Sequence, residues 1–167
     1  MTISLGITWD LEMQSSEFKK YFDTSPVLKS HFIGVFSIDT LPKVIKFRKF
    51  CICNTDVQSG NGKHWICFVR TCKNSIELFD SLGLDEEKKI LISTFCKFKV
   101  NEIVFNETQF QANFTSTCGL FVLYFLFERL FNLDLSFDEI LNDIFDENLM
   151  KNEEKVTYFC QNILKDD

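Results

Sequence analysis

A chain of 167 residues with 46% apolar and 25% charged residues suits one globular domain over 1–167 and is too apolar to be a disordered segment. Its formal charge of −6 disfavours a stable nucleic-acid partner, because binding one takes clustered Lys and Arg, and the basic residues between 43 and 49 read as a solvated strand edge. In chain order, residues 12–22 read as a helix that ends before the breaker Thr24-Ser25-Pro26. Residues 31–38 are apolar and extended, ahead of a turn at Leu41-Pro42, and 46–53 alternate charged and apolar residues as a strand does. A polar, glycine-bearing loop fills 54–62. Two β-rich runs, 65–70 and 75–79, lie close enough to form a hairpin. An amphipathic helix over 85–95 and a short strand over 102–105 follow, then a polar stretch to Thr117.

Residues 118–131 form the most hydrophobic helix, apolar all round and therefore the buried central one. Its longest apolar run is stopped by Glu128 and Arg129, far short of a membrane span, so no membrane partner is expected. Ser136-Phe137-Asp138-Glu139 is a capping box that opens another helix, and Asn152 begins a last one through Leu164. The fold class expected is α+β: a compact mixed sheet with helices on both faces, since the strands are apolar on both sides.

The chemistry-bearing residues are few. Of two histidines, His31 sits in an apolar stretch, whereas His64 follows the loop Ser59-Gly60-Asn61-Gly62 and opens a strand with Trp65. If Thr71, Cys72 and Lys73 form the hairpin loop, Arg70 faces Asn74, Ile66 faces Leu78 and His64 faces Asp80. Opposed Cβ atoms lie about 4.5–5.5 Å apart, near enough for Asp80 to fix the imidazole tautomer as a triad acid does. The same Asp80 suits the start of a turn, Asp80-Ser81-Leu82-Gly83, and both uses are compatible. Cys118 opens the buried helix, where amides and the helix dipole favour a thiolate, and Gly119 beside it would let a substrate backbone approach. Gln111 is placed to aim an amide N–H at a developing oxyanion, with Gln109 as its rival. The other six cysteines read as structural, carried by strands or an amphipathic helix. Seven thiols in no disulfide framework, behind a start without a basic leader, suggest a reducing compartment. No C-x2-C pair, phosphate loop or dinucleotide fingerprint occurs, so neither a metal nor a cofactor is expected.

At these residues the sequence resembles the adenovirus maturation protease, adenain, and its relatives in virophages and Maverick/Polinton elements, and more distantly the SUMO-deconjugating enzymes. Gly62-Lys63-His64-Trp65 resembles the family's histidine strand start. Leu78-Phe79-Asp80-Ser81-Leu82-Gly83 resembles its acidic strand end, with aspartate where adenain has glutamate. Gln111 and Cys118-Gly119-Leu120-Phe121 resemble its glutamine and nucleophile helix, and Thr117 stands where the SUMO-directed branch has aspartate. The resemblance covers about residues 15–131 and is weak over the C-terminal helices. It implies a papain-like, adenain-like fold and a viral cysteine endopeptidase with catalytic Cys118, His64, Asp80 and Gln111. Gly62 and Trp65 would contact substrate, and a narrow channel would favour cutting after glycine. The implied substrate is a viral capsid or structural protein, processed by a monomer during virion assembly in a cytoplasmic virus factory. Codon-biased abundance of Phe, Lys, Asn and Ile agrees with a viral or mobile-element origin. Val100 occupies the position of adenain's peptide-anchoring cysteine, with Cys96 the nearest thiol, so activation by a disulfide-linked peptide or by DNA is not expected. The alternatives are a protease that deconjugates a ubiquitin-like modifier, an acyltransferase with the same triad, and a capsid or scaffold protein with a dead site.

Overall fold

Continuous burial along the central strands, with side chains alternating between faces, divides the interior into two apolar cores, one on each face of a single sheet. The computed structural model describes residues 12–163. The sheet has five strands in the order β1 (Phe32–Ser37), β2 (Phe50–Asn54), β3 (Trp65–Val69), β4 (Ser75–Phe79) and β5 (Glu102–Phe105). The inner strands β2–β3–β4 are antiparallel, whereas β1 and β5 join the edges in parallel. Because side chains alternate between faces, Phe50, Ile52, Trp65, Cys67, Val69 and Phe79 enter one core. Cys51, Cys53, Ile66, Phe68, Ile76 and Leu78 enter the other.

The first core is closed by α1 (Ser15–Thr24), α2 (Pro26–His31), α4 (Cys118–Phe131), α5 (Phe137–Ile144) and α6 (Leu149–Ile163). The second is closed by α3 (Glu86–Phe95), which buries Ile92 and packs Leu91 and Phe95 against the sheet. In α1 the buried residues Phe18, Tyr21 and Phe22 share one face at helical spacing. α4 is buried nearly all round, with Phe121, Val122, Leu123, Phe125 and Leu126 fully enclosed. Each such side chain contributes about 1.5–3 kcal/mol relative to exposure, which fixes the helix that carries Cys118. Phe79 stacks on Phe125 at 4.3 Å and ties β4 to that helix. Arg129 adds a buried bidentate pair with Glu77 of β4, both contacts at 2.8 Å.

Several boundaries differ from the sequence reading. The first helix starts at Ser15, after Gln14 and Glu17 form a reciprocal cap, and extends to Thr24. The supposed breaker starts α2: the Ser25 hydroxyl accepts from the Leu28 amide, and Pro26 occupies the first turn, where its missing N–H costs nothing. His31 therefore ends a helix instead of lying in a strand. β2 begins only at Phe50, because Arg48 adopts φ 58° and turns the chain just before it. The last helix begins at Leu149, three residues before Asn152, and Leu164 lies outside the described residues. The hairpin register is shifted too: Phe68 pairs with Leu78, and Val69 with Glu77, so β3 ends before Arg70 and the connection is longer than three residues. His64 is thus not directly opposite Asp80.

Candidate active site

The register shift spans two positions, an even number, so it leaves every side chain on its expected face. His64, just before β3, and Asp80, just after β4, become diagonal neighbours on one face. The His64 Nε2–H donates to Asp80 Oδ1 at 2.6 Å. The acceptor is a carboxylate, so Nε2 carries the proton and Nδ1 is left as the basic nitrogen. Asp80 is buried and held from several sides. Its Oδ1 also accepts from the Leu82 amide at 2.8 Å, and Lys88 Nζ lies 3.2 Å from Oδ2. Its backbone is clamped by Asn106, whose Oδ1 accepts from the Asp80 amide at 3.0 Å and whose Nδ2 donates to the Asp80 carbonyl at 2.6 Å. The residue also begins a turn, with the Gly83 amide donating to the Asp80 carbonyl at 3.0 Å. Gly83 has φ 71°, and a Cβ there would lie 2.2 Å from the Glu107 carbonyl oxygen. Asn106 and Lys88 are contributions that the sequence reading missed; no motif marks them.

Cys118 is the first residue of α4 and is half-buried. It lines the same cleft as His64, and its influence is one of the causes that raise the His64 imidazolium. Burial opposes the charged form of His64, but the hydrogen bonds to Asp80 and Cys118 and their charges outweigh it and push the imidazolium up to about 9. Burial likewise works against the Asp80 carboxylate, yet the His64 hydrogen bond, the His64 and Lys88 charges and the Leu82 amide hold it below the ordinary carboxylate range. An ionised Asp80 beside a readily protonated His64 is the charge pattern a thiol nucleophile needs from its base.

Gln111 is buried but lines the same cleft as His64 and Cys118, a hollow of about 410 Å³. Its Nε2 donates to the Thr115 carbonyl at 3.0 Å, and the Ser81 hydroxyl donates to its Oε1 at 2.6 Å. The Thr115 carbonyl can only accept, which fixes the orientation of the amide. The same Nε2 also lies 3.2 Å from the Thr115 hydroxyl, so Thr115 holds the amide nitrogen at the edge of the cleft. Gln109 is turned elsewhere, donating to the Gln111 carbonyl and to Asn113 Oδ1, both at 2.7 Å. His31 is also outside the cleft, its Nδ1–H donating to the Arg48 carbonyl at 2.6 Å.

Gly62 and Trp65 both line the cleft. Trp65 is nearly buried; its Nε1–H donates to the Met13 carbonyl at 2.9 Å and its ring packs edge-on against Phe18 at 5.0 Å. The loop before His64 is braced by its own carboxylate: Asp56 Oδ2 accepts from the Gly62 amide at 3.2 Å, and Asn54 Oδ1 accepts from Lys63 at 3.0 Å. Gly119 does not face open space as expected. A Cβ there would lie 2.7 Å from Met13 Cβ and 3.1 Å from Phe18 Cζ, so the glycine admits the chain's own lead-in to α1. Among the other cysteines, Cys51, Cys53, Cys67 and Cys160 are buried, Cys96 is half-buried at the end of α3, and Cys72 is exposed in the hairpin connection rather than carried by a strand. Among the described residues no group of three or more His, Cys, Asp or Glu is arranged to hold a metal ion, and no helix is long and apolar enough to cross a membrane.

Sheet order, helix placement and a cysteine at the start of the central helix define an α+β fold of the papain-like, adenain-like class. A solved structure of the ASFV pS273R protease shares it. One crystal structure matches with a TM-score of 0.54 and 14% identity, over 89% of this chain and 66% of that one. The selenomethionine crystal structure of the same protease matches with a TM-score of 0.41 and 22% identity, over 64% of this chain and 41% of that one. The chain thus spans less than two thirds of either matched chain. No protein-family model and no curated protein matches the sequence.

Proposed function

We propose that the protein is a cysteine endopeptidase of viral type, with Cys118 as nucleophile, His64 as base and acid, Asp80 as the orienting carboxylate and Gln111 as oxyanion donor. The observation that carries this reading is the 2.6 Å contact from His64 Nε2 to Asp80, in a cleft that also contains the helix-opening Cys118. His64 Nδ1 takes the thiol proton, and the thiolate sulfur attacks the peptide carbonyl carbon. The oxygen gains the electron pair and is held by the Gln111 side-chain amide and the Cys118 amide, which has no partner within the helix. The imidazolium protonates the leaving amine as the C–N bond breaks. Water, deprotonated by His64, then releases the acid product and regenerates the thiol.

The substrate proposed is a capsid or structural protein of the same virus, cut after glycine in an extended segment. Trp65 lines the cleft together with Cys118, and its bulk there supports a small residue before the cut. Co-expression with candidate capsid proteins, followed by intact mass and sequencing of new N-termini, tests both parts. Cys118→Ala should reduce turnover by about a thousandfold or more, and iodoacetamide should label Cys118 first. Near-normal turnover by that variant would overturn the mechanism, and cuts that regularly follow bulky residues would overturn the specificity. Release of a Gly-Gly-tailed modifier in place of capsid cleavage would favour the deconjugating alternative.

A further inference from the structure

The C-terminal helix brings a carboxylate to a place where burial penalises one. Glu153 on α6 is 0% exposed, and a buried carboxylate persists only when its oxygens are satisfied. Its Oε1 accepts from the Ala112 amide at 2.9 Å and from the Thr115 hydroxyl at 2.7 Å, and its Oε2 accepts from the Thr117 hydroxyl at 2.7 Å. All three donors lie in the short segment that joins Gln111 to Cys118. Thr115 is also the residue that holds the Gln111 amide nitrogen, through its carbonyl at 3.0 Å and its hydroxyl at 3.2 Å. The preceding residue of α6, Asn152, donates to the Phe110 carbonyl at 3.1 Å, on the other side of Gln111.

We propose that Glu153 is a positioning residue for the oxyanion site. It curls the segment between Gln111 and Cys118 so that Thr115, through its carbonyl and hydroxyl, fixes the Gln111 side-chain amide in place beside the start of α4. An apolar side chain of similar volume would pack α6 against α4 as well, but it would leave the Ala112 amide without its acceptor, and the Thr115 and Thr117 hydroxyls would turn to the Ala112 carbonyl and to Thr115 Oγ1. The segment would then relax, and Gln111 would lose its aim. The inference rests on the protease reading above and assigns to that reading a residue that does not touch substrate.

Two rates measured on the same preparations test it: turnover of a peptide substrate, and alkylation of Cys118 by iodoacetamide. Alkylation uses the thiolate and the imidazolium but no oxyanion hole. Glu153→Ala should lower kcat by about a hundredfold or more, the scale of losing one oxyanion donor, with KM and the alkylation rate little changed. Glu153→Gln still accepts from Ala112 and Thr115 and can donate to the Thr117 hydroxyl, so it should recover most of the lost kcat. Should Glu153→Ala fail to fold, Thr115→Val removes only a hydroxyl and should lower kcat without slowing alkylation. Unchanged kcat in these variants overturns the role. So does a parallel fall of kcat and alkylation, which would mark a merely structural carboxylate. Normal alkylation in a wild-type protein that cleaves no peptide would overturn the protease reading, and this role with it.

Discussion

His64 sits between a carboxylate and a thiol, and their influence should be visible in a pH–rate profile. Its imidazolium is pushed up to about 9 against the opposing effect of burial. A base with a raised value keeps its proton through the neutral range and loses it only as pH climbs toward that value. The imidazolium should therefore persist at neutral pH, and kcat/KM should fall along an alkaline limb near 9. Asp80→Asn removes the carboxylate that supplies both a hydrogen bond and a charge to the ring. The limb should move to lower pH, and kcat should fall with little change in KM. An alkaline limb at the same pH in that variant would separate Asp80 from the base. At this scale the sequence exposed the pair through face parity alone: the inferred register was wrong by two positions, and a slip of one would have put Asp80 on the opposite face. The groups that hold Asp80, Asn106 and Lys88, come from distant segments with no local signature, so the pairing was legible and its support was not.

Elements were legible where the pattern was long or capped. α4 begins at Cys118 and ends at Phe131 as the all-round apolar run indicates, and Ser136 caps α5 as its capping box indicates. Short-range turn chemistry was misread where one residue serves two purposes, as Ser25-Pro26 does in opening a helix where a break was expected. Gly119 is the instructive case. Its place beside the nucleophile suggested room for substrate, whereas long-range packing fills that room with Met13 and Phe18. Gly119→Ala gains at most about 1 kcal/mol of helix propensity. Forcing a methyl against Met13 Cβ costs about 1–3 kcal/mol, so a net loss of stability is expected, read as a lower denaturation midpoint. Glu12, Met13 and Gln14 line the cleft, so displacing them should also raise KM. A variant more stable than the wild type, with unchanged KM, would show that the lead-in yields without disturbing the cleft.

Across the whole molecule, the two halves of the proposed couple are joined through the interior. The strand that presents Asp80 is locked to the helix that presents Cys118 by the Phe79–Phe125 stack and by the buried Glu77–Arg129 pair, to which Thr71 adds a hydrogen bond at 2.7 Å. Such contacts would let the two parts come together without a further ligand. Net charge argues in the same direction: at −6 the chain repels a polyanion at long range, and attraction would have to come from a local cluster of basic residues. We therefore expect turnover without DNA and without a linked activating peptide. The measurement is kcat/KM on a peptide substrate with and without duplex DNA, across about 50–200 mM salt, the range over which a protein neutralising several phosphates loses most of its affinity. Values that agree at every salt concentration are the expected result. A stimulation that is large at low salt and vanishes at high salt would instead reveal a basic surface strong enough to overcome the net charge, and would make DNA part of the working enzyme.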